Sequence, residues 1–150
     1  MKMMMNVLSM SVLAAVSGST AFSADLSPLT TVKISAGSIL ANEKGMTVYI
    51  FDKDARGLSV CYDGCAKAWP PVFVAADLQV SAPLTIQARR DGAHQLVLNG
   101  SPLYLYANDQ KTTDTNGDGL GGIWHIISAP ASATFVDPAS SDISDVADFQ

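Results

Sequence analysis

The stretch Gly45-Met46-Thr47-Val48-Tyr49-Ile50-Phe51-Asp52-Lys53-Asp54 decides how the chain is read. It leaves a glycine turn, runs through apolar residues without a break and ends on acidic ones. The chain writes it again as Gly100-Ser101-Pro102-Leu103-Tyr104-Leu105-Tyr106-Ala107-Asn108-Asp109, 55 residues further on. The shift reaches beyond this stretch. Gly37 falls on Gly92, Asp63-Gly64 on Asp118-Gly119, and Trp69 on Trp124. A register without gaps from Gly37 to Trp124 implies one structural unit used twice.

Side chains alternate across an extended backbone, so Val48 and Ile50 point one way and Tyr49 and Phe51 the other. Leu103 and Leu105 against Tyr104 and Tyr106 repeat the pattern. Strands that are apolar on both faces must be covered on both faces. The expected fold is therefore all-β: two tandem antiparallel β-meander repeats, packed as a compact sandwich or barrel with pseudo-twofold symmetry. The repeats span about 30–75 and 85–128. In the first, strands are predicted over 30–35, 38–41 and 46–52; in the second, over 85–90, 94–98 and 102–107. Asn99-Gly100 supplies a tight hairpin turn, because both residues accept positive φ. Each third strand leads into a long polar loop that returns to Trp69 or Trp124, with closing strands at about 72–75 and 125–128. A helical turn over 63–69 takes Asp63 as its N-cap and stops at Pro70. Tyr49, Phe51, Trp69, Tyr104, Tyr106 and Trp124 read as core. Asp52 and Asp54 read as a solvated strand end, and Asp109 closes the second copy of the motif.

The chain has 150 residues, enough for one domain with a real core. Lys2, the apolar run Val7–Val16 and small residues through Ala24 read as a secretory signal peptide over 1–24, too short to span a membrane. Ser19 stands where a lipoprotein signal would place its lipid-bearing cysteine. The expected product is thus periplasmic or secreted, with no membrane span and no lipid-anchor cysteine. A single β domain follows over 25–128, then an acidic, disordered tail over 129–150 with Asp137, Asp142, Asp145 and Asp148 and no base. The net charge is −5, and with the tail set aside the domain is close to neutral. It offers no basic stripe for phosphates, which argues against a nucleic-acid partner.

Cys61 and Cys65 are the cysteines of the chain, in Cys-Tyr-Asp-Gly-Cys. In an oxidising compartment the leading reading is a structural disulfide, a local staple on a small ring. A redox pair is the sharper alternative, although the spacing differs from that of thioredoxin-type motifs. A metal pair with His94 or His125 is weaker still. The second repeat has Asn116 and Leu120 at the cysteine positions. It carries Asp114-Thr115-Asn116-Gly117-Asp118-Gly119, whose Asp114, Asn116 and Asp118 match the start of an EF-hand calcium loop. His125 occupies the twelfth position, where a bidentate Glu is needed. The competing reading is a turn whose carboxylates bind their own backbone N–H groups. No cofactor is expected apart from that calcium. No serine sits in a nucleophile elbow, and no acid–base pair stands out.

With these residues in hand, the chain resembles the bacterial secreted-repeat lipoprotein family with its Tyr-x-[Phe/Trp/Tyr]-x-x-Asp motif. The motif stands here at Tyr49–Asp54 and Tyr104–Asp109. Cys61–Pro71 resembles the family's Cys-x-x-x-Cys-Ala-x-x-Trp-Pro-Pro segment, and Asp114–Trp124 its Asp-x-x-Gly-x-Gly-x-Gly-Gly-x-Trp segment. The resemblance implies the repeat and a place in the cell envelope. It brings no catalytic residues, because the family's function is unknown. The reading that follows is an exported, non-enzymatic binding or interaction module for a small molecule or an envelope protein. The alternatives are an envelope redox or electron-transfer protein using Cys61 and Cys65, and a calcium-stabilised adhesion module.

Overall fold

The computed structural model describes residues 24–129. The expected signal peptide, Ala24 apart, and the acidic tail, Ala129 apart, lie outside the described residues. The first repeat opens with the hairpin β1 (Thr30–Ile34) and β2 (Gly37–Ala41) and continues to β3 (Tyr49–Phe51). A single helical turn, α1 (Gly64–Ala68), follows. The second repeat opens with β4 (Leu84–Ala88), β5 (His94–Leu98) and β6 (Ser101–Pro102) and closes with β7 (Trp124–Ile126). Asn99 and Gly100 take φ of 50° and 79°, as the tight turn between β5 and β6 demands. Pro102, which has no N–H to give, lies at the start of its extended run.

The fold is all-β and duplicated, as the sequence implies. The halves are joined more closely than two meanders laid face to face. β3 pairs with β7 of the other repeat, Tyr49 opposite Ile126 and Phe51 opposite Trp124. In the same way Tyr104 bridges Pro71, and Leu105 N–H donates to the Pro70 carbonyl. The closing segment 71–74 goes on to bond β5: Leu96 N–H donates to Val72 O, and Val74 N–H to His94 O. Segment 127–129 does the same to β2, with Leu40 N–H on Ile127 O and Ala129 N–H on Ser38 O. Each repeat thus lends its last strand to the other.

The symmetry axis passes between Tyr49 and Tyr104. Their backbones exchange both hydrogen bonds, Tyr49 N–H to Tyr104 O at 2.8 Å and the reverse at 3.0 Å. A residue paired with its own counterpart is what a twofold axis produces at its centre.

The two faces of the central strands build two cores, as alternation predicts. Val48 and Leu103 enter an aliphatic cluster with Leu29, Leu40, Val72, Leu84, Leu96 and Leu98. Tyr49 and Tyr104 enter an aromatic one with Cys61, Trp69 and Trp124.

Two sequence expectations are corrected. The register is not gapless. Thr31 and Ile86 are 55 residues apart, but their strand partners Leu40 and Leu96 are 56 apart, and Val48 and Leu103 return to 55. The longer turn between β4 and β5 adds a residue, and the longer turn after β2, tied by the Asn42 side chain to the N–H groups of Lys44 and Met46, offsets it. Gly37 and Gly92 are therefore not equivalent. Asp63 does not cap α1: its φ is 51° and its side chain makes no cap hydrogen bond.

Candidate functional site

The motif residues Tyr and Asp meet across the repeats. Within one repeat they are five positions apart, with a turn between them in which the Asp54 N–H donates to Phe51 O and the Asp109 N–H to Tyr106 O. The twofold axis instead sets each tyrosine against the other repeat's aspartate. The Tyr49 hydroxyl donates to Asp109 Oδ2 at 2.6 Å, and the Tyr104 hydroxyl to Asp54 Oδ2 at 2.6 Å. The second aspartate oxygen holds its own loop. Asp109 Oδ1 accepts from the Asn116 N–H and side-chain amide, and Asp54 Oδ1 from the Val60 N–H. Asp54 is therefore no solvated strand end. Asp52 is the solvent-facing member of the pair, bonded to His125 Nε2 at 2.8 Å with both side chains partly exposed.

Burial, then the neighbouring carboxylate, drives both phenols well above their ordinary range. Burial also raises Asp54, against the pull of the Tyr104 hydroxyl, the Val60 N–H and the Arg89 charge.

The rings between the two tyrosines form a continuous stack on the axis. Trp69 lies on Trp124 at 3.8 Å and 3°, Phe51 covers Trp124 at 4.1 Å, and Tyr106 covers Trp69 at 4.3 Å. Tyr49 meets Trp69 edge to face at 5.4 Å, and Tyr104 meets Trp124 likewise at 5.2 Å. Ring quadrupoles disfavour full overlap, and edge-to-face neighbours suit them better. Burial and the flanking tyrosines thus hold the indole pair together. Tyr49, Tyr104, Trp69 and Trp124 are buried, and Phe51 and Tyr106 are half-buried at the ends of the stack.

The two loops are held differently. In the first, Cys61 and Cys65 form a disulfide with Cα atoms 5.2 Å apart. Cys61 is fully buried against the aromatic cluster. Its carbonyl accepts from Arg89, whose side chain is also fully buried. The guanidinium further reaches Ser59 Oγ, Gln95 Oε1 and Asp91, and lies over the Tyr62 ring at 4.2 Å. Ser59 also bonds the Tyr104 hydroxyl at 2.7 Å, so the network ends on the motif. Sequence reading missed Arg89, Ser59 and Gln95. An arginine beside an Asp-Gly turn reads as surface, and its only signal is the lack of a counterpart in the first repeat, where Ile34 stands 55 residues earlier.

In the second loop, the oxygens proposed for calcium face separate partners. Asp114 Oδ2 accepts from the Gln110 and Lys111 N–H groups, which hold its carboxyl below the usual range. Asn116 turns to Asp109, and Asp118 Oδ1 accepts from the Ile126 N–H. Gly117 lies against Trp69 and Tyr49, where a Cβ would come within 2.7 Å of the indole. Its N–H donates to the Tyr49 hydroxyl.

Away from this axis a groove of about 460 Å³ opens beside the first closing segment. Its walls are Pro28, Leu29, Pro70, Pro71, Val72, Phe73, Leu78 and Leu105, with Asn42, Glu43 and Lys44 as its polar lining. Phe73 is 58% exposed, although it is a large apolar side chain.

Set beside known proteins, the chain matches twice, over residues 30–73 and 85–128, a family described as a secreted repeat of unknown function. The two matches cover more than half of the chain. The chain belongs to this family. The secreted-repeat boundaries coincide with the structural halves, from β1 to the first closing segment and from β4 to the second. Neither the curated proteins nor the solved structures yield a match. No helix among the described residues is long and apolar enough to cross a membrane.

Proposed function

We propose that this secreted-repeat domain is a non-enzymatic binding module of the periplasm or cell exterior, reached by a cleaved signal peptide, and that its contact surface is the proline-walled groove. The exposure of Phe73 beside that groove carries the reading. An exposed aromatic next to a concave apolar wall is the usual form of a ligand or partner site. The polar lining comes from one turn, Asn42 to Lys44. A small apolar molecule, or apolar side chains of an envelope protein, suits such a lining.

The test is an environment-sensitive naphthalene sulfonate dye with the native protein. Saturable fluorescence enhancement that disappears in Phe73→Ser, with unchanged circular dichroism, supports the groove. Enhancement that is absent, or unaffected by the substitution, removes it. The redox reading of Cys61 and Cys65 is separated by titration with a mild reductant. The buried Cys61 and the Arg89 grip on its carbonyl favour a cystine that resists reduction until the domain unfolds.

A further inference from the structure

The axis holds chemistry that a binding module does not use. Trp69 and Trp124 are 7% and 5% exposed and stack face to face, while Tyr49 and Tyr104 are sealed at their edges. Each of these two phenols donates a hydrogen bond to a carboxylate oxygen 2.6 Å away. Hydrophobic packing accounts for the rings being together. It does not call for two carboxylates taken into the protein beside them, since burying a charge costs free energy unless it is well bonded.

We propose that this assembly is a one-electron relay, in which an oxidising equivalent taken up by the indole pair passes to Tyr49 and Tyr104. The oxidant is a small diffusing radical. It takes an electron from Trp69 or Trp124, becoming an anion and leaving an indole radical cation. One electron then moves from the phenol to the indole while the phenol proton moves to the carboxylate. The indole is restored, and a neutral phenoxyl radical and a neutral carboxylic acid remain. Charge balances, because the cation on the ring and the anion on the aspartate disappear together. A small reductant such as ascorbate closes the cycle. Its electron returns through the rings, and the aspartate returns the proton.

The carboxylates decide the direction. A phenol is hard to oxidise while it keeps its proton, and a radical cation of phenol is strongly acidic. A bonded acceptor lets both particles leave at once. Tyr106 lies in the stack as well, but its hydroxyl partner is the Asn108 amide, a donor that cannot take the proton. The relay therefore ends at the motif tyrosines, and both Tyr–Asp pairs have a use beyond holding the fold.

Pulse radiolysis with azidyl radical, which oxidises indoles rapidly, tests this on the native protein. The expected result is decay of indolyl absorbance matched by growth of phenoxyl absorbance, at a rate independent of protein concentration. In Asp54→Asn with Asp109→Asn, which keeps every ring, that growth slows about tenfold, equivalent to about 1.4 kcal/mol of barrier. Tyr106→Phe leaves the rate unchanged. Growth that scales with protein concentration, follows Tyr106 or ignores both aspartates overturns the proposal. Should the double variant not fold, the wild type still decides: phenoxyl growth is slower in heavy water if the proton moves with the electron, and equal rates sink the relay.

Discussion

Asp54 to Trp69 and Asp109 to Trp124 leave from equivalent aspartates and arrive at tryptophans stacked on each other. Between those ends the two loops share almost nothing. The first is fastened by a covalent bridge and a buried guanidinium that collects Cys61, Ser59 and Gln95. The second is fastened by side-chain oxygens on its own N–H groups and by a glycine that fits beneath an indole. The comparison shows that the constraint lies at the ends. Each loop must bring an aspartate to the opposite tyrosine, and the means of holding the intervening residues are interchangeable.

The largest break is expected from the first loop's cation. Arg89→Met leaves Gln95 Oε1 and the Cys61 carbonyl without their donor and removes the charge that offsets Asp54. Leaving buried polar groups unpaired in this way costs about 3 kcal/mol. Urea unfolding should show it as a lower midpoint at unchanged slope. A loss below about 1 kcal/mol would mean that water replaces the guanidinium.

Replacing Cys61 and Cys65 together by Ser is expected to cost about 2 kcal/mol, the chain-entropy value for so short a ring. Circular dichroism at ambient temperature should remain native, because Asp54 still receives Tyr104. In the second loop, Gly117→Ala pushes a methyl into Trp69 and should cost about 1–2 kcal/mol by overpacking. The matching change in the first loop, Tyr62→Ala, should leave Trp69 fluorescence unshifted, whereas Gly117→Ala should shift it.

The smallest effect separates the loops by pH. Asp114 is lowered in the folded state, so its contribution is present above the unfolded pKa and is lost as pH falls through the folded value. Asp54 is raised, so the folded state binds its proton more tightly, and acidification through that range favours the first loop. Asp54 is therefore neutralised first on acidification, and amide exchange from neutral pH downward should show the Val60 N–H, which loses its carboxylate acceptor, losing protection before Gln110 and Lys111. Equal loss in both loops would contradict the two opposite shifts.

Much of the architecture was legible in the chain. Alternation in Val48-Tyr49-Ile50-Phe51 predicted two covered faces, and each face has its own core. The second copy of the motif predicted the axis. The Tyr–Asp bonds were less legible, because the partners lie 60 and 50 residues apart and the spacing within a repeat points nowhere. They follow only once the axis is placed on Tyr49 and Tyr104. The offset of β5 was hidden because two turns of unequal length cancel. Arg89 was hidden because the chain carries its burial in partners, Ser59 and Gln95, that look like ordinary surface residues.

The exchanged closing strands bear on how such a molecule could arise and how it would respond to cutting. The connection from Ala76 to Pro83 joins halves that are already threaded through one another. A protease nick there would leave two fragments that stay together until denatured. A gene encoding a single unit would, by the same logic, yield a product that is complete only as a pair, each polypeptide supplying the strand its twin lacks.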